Sequence, residues 1–183
     1  DTGFYKLVKA EVEKAHNITL IQGDILRGKN ELNPEVMSAV ATAMEKAQAS
    51  SFDIVANFPY DVATAVISNV LLQPIPVRRL TFTVQLEVAQ RILAQPGQKD
   101  YGPISVLVHT LGSSQLIRTL SPSAFWPRPQ VESAFVRVDI DLAKKSGMPD
   151  LLQFHQFIRM LFIHRRKNLR GSIVSIPDYK PLK

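Results

Sequence analysis

Asp53-Ile-Val-Ala-Asn-Phe-Pro-Tyr60 decides how the rest of this 183-residue sequence is read. Ile54, Val55 and Ala56 make a short apolar run with a β-branched pair, the pattern of a buried strand. The run ends in Asn57, an aromatic residue and Pro59, so an amide side chain is presented where the strand stops. In open α/β sheets, ligands sit just beyond the carboxyl ends of the strands. Asn57 offers a carbonyl acceptor and an NH₂ donor. Pro59 fixes the turn and biases Phe58 toward an extended conformation. Tyr60 adds a flat face on which a nucleobase can stack. Together these residues suit the exocyclic amine of a purine. A strand end with a turn Asn and a packed Tyr fits them as well.

Working outward toward the amino end, Ile18-Thr-Leu-Ile-Gln22 reads as another strand, ending in Gly23-Asp24. Asp24 can accept from an adenine amino group or a ribose there, or simply cap a turn. Ahead of it, Phe4, Leu7, Val8 and Val12 recur at helical spacing, with Lys6, Lys9, Glu11 and Glu13 on the other side. Residues 27–52 are polar and read as an exposed insertion. They contain a helical pattern over Pro34–Ala47, with Pro34 suited to a first turn.

Toward the carboxyl end, Val62–Leu72 predicts an apolar helix stopped by Pro74 and Pro76. Residues 79–85 alternate like a strand and lead into a helix holding Glu87, Ala89 and Arg91. After a polar loop at 95–100, Pro103 introduces the helix Ile104–Leu111. Two further strands are expected near 115–120 and 133–140. Between them runs Phe125-Trp-Pro-Arg-Pro-Gln-Val131, a rigid loop in which Trp126 is assigned to packing. Residues 144–149 read as a linker. A last helix from Leu151 to about Leu169 turns Leu151, Phe154, Ile158 and Leu161 to one side and becomes basic at His164-Arg-Arg-Lys-Asn-Leu-Arg170. Strands alternating with helices predict an α/β fold with a mainly parallel sheet, a late edge hairpin and a small helical domain at the end.

Composition narrows the function classes. Apolar residues make up 45 % and charged residues 21 %, ordinary for a globular chain. There is no Cys, which excludes disulfides, thiolate metal sites and Cys nucleophiles. The four His stand at no metal-like spacing, so no metal is expected. No apolar run approaches the roughly 20 residues of a membrane span. A cytoplasmic monomer is the expectation. The net charge of +6 is unevenly placed: residues 1–150 balance 15 basic against 15 acidic residues, whereas 151–183 carry seven Lys and Arg against Asp178 alone. A neutral body with a basic end points to a polyanionic partner.

Four segments in this order resemble the ribosomal RNA adenine N6-dimethyltransferases: Gln22-Gly-Asp24, Asn57-Phe-Pro-Tyr60, Phe125-Trp-Pro-Arg-Pro-Gln-Val-Glu-Ser133 and Phe162-Ile-His-Arg-Arg-Lys-Asn-Leu-Arg170. Gln85-Leu-Glu-Val-Ala-Gln-Arg91 with Tyr101-Gly102 is similar to the small-subunit branch in particular. The resemblance implies a Rossmann-like class I methyltransferase sheet over residues 1–143 and a helical rRNA-binding domain over 148–183. It implies S-adenosyl-L-methionine as methyl donor and, as substrate, two neighbouring adenines near the 3′ end of small-subunit rRNA within an assembling ribosomal subunit.

In that reading Asn57 and the Phe58 carbonyl accept from the target amine, and Pro59 holds the turn. Tyr60 and Phe125 take the two faces of the adenine. Asp24, with Ile25 beside it, holds the cofactor adenine, and Asn57 lies at the methyl end. Arg165, Arg166, Lys167 and Arg170 meet rRNA phosphates. The family's glycine-rich loop and its ribose-binding acidic residue are expected ahead of Asp1, and the helical domain ends early. Residues 1–183 alone are therefore expected to be a fragment that neither holds the cofactor well nor methylates. The alternatives are a large-subunit rRNA enzyme of the macrolide-resistance type and a non-catalytic RNA-binding assembly factor.

Overall fold

The computed structural model describes residues 2–28, 31–163, 165 and 167–174. They fall into two compact units, Asp1–Gln48 and Ala49–Lys183.

The first unit holds helix α1 (Thr2–Val12) and helix α2 (Pro34–Ala47). Both follow the periodicity read from the sequence. Asn33 caps α2: its side chain accepts from the Glu35 N–H at 3.0 Å, and Pro34 fills the first turn. The amide of Asn33 also donates to the Asp24 carbonyl at 2.9 Å, and its backbone N–H donates to the Ile25 carbonyl at 2.8 Å. An isolated bridge between Leu26 and Leu32 closes the turn, with Leu32 buried. The strand expected over Ile18–Gln22 does not form, because these residues gain no ladder partner among the described residues. A β-strand exists only through its neighbour, and Ile18 and Ile21 stay largely exposed.

The second unit is built on a sheet of β1 (Phe52–Asn57), β2 (Val77–Gln85), β3 (Gly112–Leu120) and β4 (Ser133–Ile140), in the order β1-β2-β4-β3. Helix α3 (Ala63–Leu72) carries the chain from β1 to its parallel neighbour β2. The pairs β2–β4 and β3–β4 are antiparallel, so among the described residues the sheet is mixed rather than mainly parallel. The late hairpin does lie at the edge, as expected.

One face of the sheet is the core. Leu80, Phe82 and Val84 of β2 stand opposite Val138, Val136 and Ala134 of β4, and all six are buried. Helices α4 (Leu86–Leu93) and α5 (Pro103–Leu111) pack against these strands. Phe82, Ile67, Leu71, Leu107 and Leu111 are fully enclosed, each contributing about 1.5–3 kcal/mol by leaving water. The chain passes from α5 into β3 with no loop, which presses Gly112 against β4. A Cβ there would sit 1.9 Å from the Asp139 carbonyl oxygen, so only glycine fits.

The opposite face is polar and half-open. Asp139 of β4 is reached at 2.6 Å by Arg79 from the adjacent β2 and at 2.6 Å by Arg137, two residues back on its own strand. Burial pushes the Asp139 carboxyl up, but the hydrogen bonds from both guanidinium groups outweigh it and hold it below the usual carboxylate range.

After the sheet, the expected linker over 144–149 is instead largely helical. Asp141 caps α6 (Leu142–Gly147), accepting from the Ala143 and Lys144 N–H groups. Helix α7 (Leu151–Ile163) rests on α3 and α5. It stops short of the predicted Leu169, because Asn168 starts a new helix, α8 (Leu169–Val174), by accepting from the Gly171 N–H at 2.7 Å.

Lys145 is 6 % exposed. Its Nζ donates to the Val70 carbonyl at 2.9 Å and the Ile75 carbonyl at 3.1 Å, capping the last turn of α3. Burial pushes its pKa from 10.5 down to about 8, and a neutral amine still has two N–H groups for both carbonyls. Between about pH 8 and 10.5 the unfolded chain therefore holds more protons than the folded one, so stability rises with pH through that window. Denaturant titrations across it should show this rise in the native protein and a flatter profile in Lys145→Met. A native profile that rises no more than the variant's would contradict the assignment.

Candidate active site

Alternation along β1 alone would not say which face Asn57 takes; the pairing decides it. Asn57 stands opposite Thr83 of β2, on the exposed side with Asp53 and Val55. The Thr83 hydroxyl donates to Asn57 Oδ1. An amide oxygen has two lone pairs, so Oδ1 retains capacity for a second donor. Phe58 turns its ring the other way, into the core against Phe82, with ring centroids 5.7 Å apart. Its carbonyl lies one residue past the last paired position of β1. The Pro59 carbonyl accepts from the Val62 and Ala63 N–H groups, so the turn leads directly into α3.

Tyr60 is half-buried, and its hydroxyl is 2.7 Å from Ser133 Oγ. Ser133 is fully buried and opens β4 opposite Gln85. This bond joins the two motifs that lie 73 residues apart in sequence. The loop from Phe125 is also tied down where the Leu86 N–H donates to the Glu132 carbonyl at 3.0 Å. Phe125 is half-buried, and among the described residues its ring forms no pair with Tyr60. The assignment of Trp126 to packing is overturned: the indole is 97 % exposed.

Asp24 and Ile25 belong to the first unit. Asp24 is exposed, and its Oδ1 accepts from the Leu26 N–H at 3.0 Å, which leaves the other carboxylate oxygen to accept from a ligand. Ile25 is half-buried beside it. An exposed carboxylate with one oxygen engaged fits the amine of a cofactor adenine.

Of the basic residues, Arg165, Lys167 and Arg170 are exposed, and Arg166 lies outside the described residues. Arg165 donates to the Lys99 carbonyl at 2.8 Å, which fixes its guanidinium beside the 95–100 loop. Tyr101 and Phe162 pack next to it with centroids 6.0 Å apart. Arg165 and Lys167 line an open pocket of about 370 Å³ with these two rings. The described His, Asp and Glu residues form no group that could hold a metal ion.

Sequence reading missed Thr83. Its only trace is the polar alternation Thr81, Thr83, Gln85 in β2. Ser133 was legible as the end of a motif but not as the partner of Tyr60.

The Tyr60–Ser133 bond predicts a measurable coupling. Ser133→Ala strands a part-buried phenol and should cost about 1–3 kcal/mol of unfolding free energy. In Tyr60→Phe the same change should cost clearly less. A double-mutant cycle by urea denaturation reads the difference, and a coupling near zero would remove the bond from the account.

Residues 1–180 match the family model described as ribosomal RNA adenine dimethylase. The ribosomal RNA small subunit methyltransferase A of Geobacillus thermodenitrificans is 34 % identical over 91 % of this chain and 55 % of its own length. That of Clostridium botulinum strain Langeland is 34 % identical over 96 % of this chain and 60 % of its own. The chain thus spans somewhat more than half the length of these relatives. In three dimensions it is similar to a dimethyladenosine transferase from Plasmodium falciparum, with a TM-score of 0.74 at 20 % identity over 94 % of this chain and 56 % of that one. It is also similar to the 23S rRNA methyltransferase ErmE, with a TM-score of 0.64 at 18 % identity, covering 95 % and 63 %. Both likenesses support the Rossmann-like methyltransferase fold. With nearly every residue under the family model and the motif residues joined at the ends of β1 and β4, this chain belongs to the ribosomal RNA adenine dimethylase family.

Proposed function

We propose that the chain acts in the N6,N6-dimethylation of two adjacent adenines near the 3′ end of small-subunit rRNA, as a step of ribosome biogenesis. The observation that carries this reading is the joining of Asn57-Phe-Pro-Tyr60 to the Phe125–Ser133 motif through the Tyr60–Ser133 bond. The names of the curated relatives favour the small subunit over the large one. Residues up to 143 serve as the methyltransferase core and residues from 148 as the rRNA-binding part, in a cytoplasmic monomer.

An adenine amine is a weak nucleophile, because its lone pair is delocalised into the ring. Asn57 Oδ1 and the Phe58 carbonyl accept its two N–H bonds and favour a pyramidal nitrogen. Tyr60 and Phe125 hold the extruded base between them. Asp24, Ile25 and Asn57 would hold S-adenosylmethionine, which when bound would supply the methyl group. Adenine N6 would accept that methyl and give up one of its protons to solvent. No strong base is needed in this scheme, and positioning supplies the rate.

In the full-length protein, Asn57→Ala should leave rRNA binding nearly intact and slow methylation by about 10²–10³. Tyr60→Ala should weaken stacking by roughly 1–3 kcal/mol. Methylation at the normal rate in Asn57→Ala would overturn this account of the amine.

Lys167 and Arg170 are exposed on the basic segment, where ion pairs with phosphates would position the substrate without reading its sequence. Neutralising both should flatten the dependence of log affinity on log salt by about 0.7–0.9 for each phosphate no longer neutralised. An unchanged slope in a folded variant would assign them a structural role.

A further inference from the structure

Asn57 is exposed at the end of a strand, and an exposed Asn has a free choice. The torsion that turns its amide is broad, and the two ends of the amide are nearly the same size. One orientation presents an acceptor to a given point in space, and the other presents a donor. A target amine that offers only N–H bonds needs the acceptor.

Thr83 removes that choice. The parallel register places it directly opposite Asn57, on the same face of the sheet. Its backbone belongs to β2, one of the two interior strands, which is held by ladders on both sides. A β-branched side chain on a strand has few rotamers, which localises the hydroxyl. That hydroxyl donates to Oδ1 of Asn57. Its ladder neighbours on that face are Asn57 of β1 and Phe135 of β4, and Val55, two residues back along β1, is 79 % exposed.

We infer that Thr83 is a positioning residue for methyl transfer: its hydroxyl bond holds the Asn57 amide with Oδ1 fixed, so that the second lone pair of Oδ1 addresses the adenine amine. This rests on the role proposed for Asn57 above. The effect is greater in the second transfer than in the first. Unmodified adenine brings two N–H bonds to two acceptors, so one acceptor can compensate for looseness in the other. After one methylation a single N–H remains, and the acceptor it meets must already be in place.

The test is single-turnover methylation of rRNA by the full-length protein carrying Thr83→Ala, Thr83→Ser or Asn57→Ala, with N6-methyladenine and N6,N6-dimethyladenine quantified separately. Loss of one hydrogen bond of ordinary strength should slow Thr83→Ala by up to about tenfold. KM for rRNA should not change, and the monomethyl product should accumulate. Thr83→Ser, which keeps the hydroxyl, should recover most of the rate and the native product ratio. A merely structural role would shift the unfolding midpoint in Thr83→Ala without building up the monomethyl product. If Thr83→Ser is as slow as Thr83→Ala, or if Thr83→Ala gives the native rate and ratio while Asn57→Ala is inactive, the inference for Thr83 fails alone. If Asn57→Ala is fully active, the reading beneath it fails as well.

Discussion

The register of β2 is the constraint on which the described second unit depends. This strand pairs in parallel with β1 on one side and antiparallel with β4 on the other. Both ladders must be satisfied by one set of backbone groups. A slip of one residue in either would carry Leu80, Phe82 and Val84 out of the core and bring Arg79, Thr81 and Thr83 into it. The cost of exposing those apolar side chains and burying an arginine leaves a single acceptable alignment. That alignment places Thr83 beside Asn57 and Gln85 beside Ser133. The candidate site is therefore a consequence of the core. Its residues are aligned by the hydrophobic face of the same strand, on the side they do not occupy.

The polar groups around this frame are nearly all accounted for. The Arg79–Asp139–Arg137 cluster ties β2 to β4 on the open face, and Arg78 pairs with Asp53 at 2.8 Å between β2 and β1. Such exposed pairs add little stability individually, but they match the register that the apolar face selects. Lys145 is the costlier element. It places a cationic amine under the end of α3 with only carbonyl partners, and its depressed pKa is the record of that cost. In return, α6 and the segment leading to α7 are pinned to the body of the unit.

Asn57, Phe58, Pro59 and Tyr60 are four consecutive residues with four different jobs. Asn57 ends the ladder and stays accessible, Phe58 anchors the turn in the core on Phe82, and Tyr60 reaches across to Ser133. Pro59 between them contributes its carbonyl to the start of α3. The turn is thus held from three directions. A site that must present an acceptor to a weak nucleophile gains from that rigidity, since little ordering remains to be done when a ligand arrives.

The sequence by itself determined the elements whose signal is local. The helices from Pro34, near Val62 and at Pro103 follow from apolar spacing and from proline at the first turn, and the strands at β1, β2 and β4 follow from β-branched or alternating runs. Asn57 and Tyr60 were legible as candidates because the residues that bound a strand end are themselves local. What tertiary structure alone decided is everything that needs a partner. Ile18–Gln22 has the composition of a strand but no ladder partner among the described residues. The stretch read as a linker became α6, because Asp141 caps it and Lys145 finds carbonyls some 70 residues away. One predicted helix became α7 and α8 when Asn168 satisfied a new first turn. Trp126 has a core residue's composition and no core to occupy. Thr83 and Ser133 gained their places from strand register, which is set by pairing energies between distant segments and leaves no mark on either segment alone.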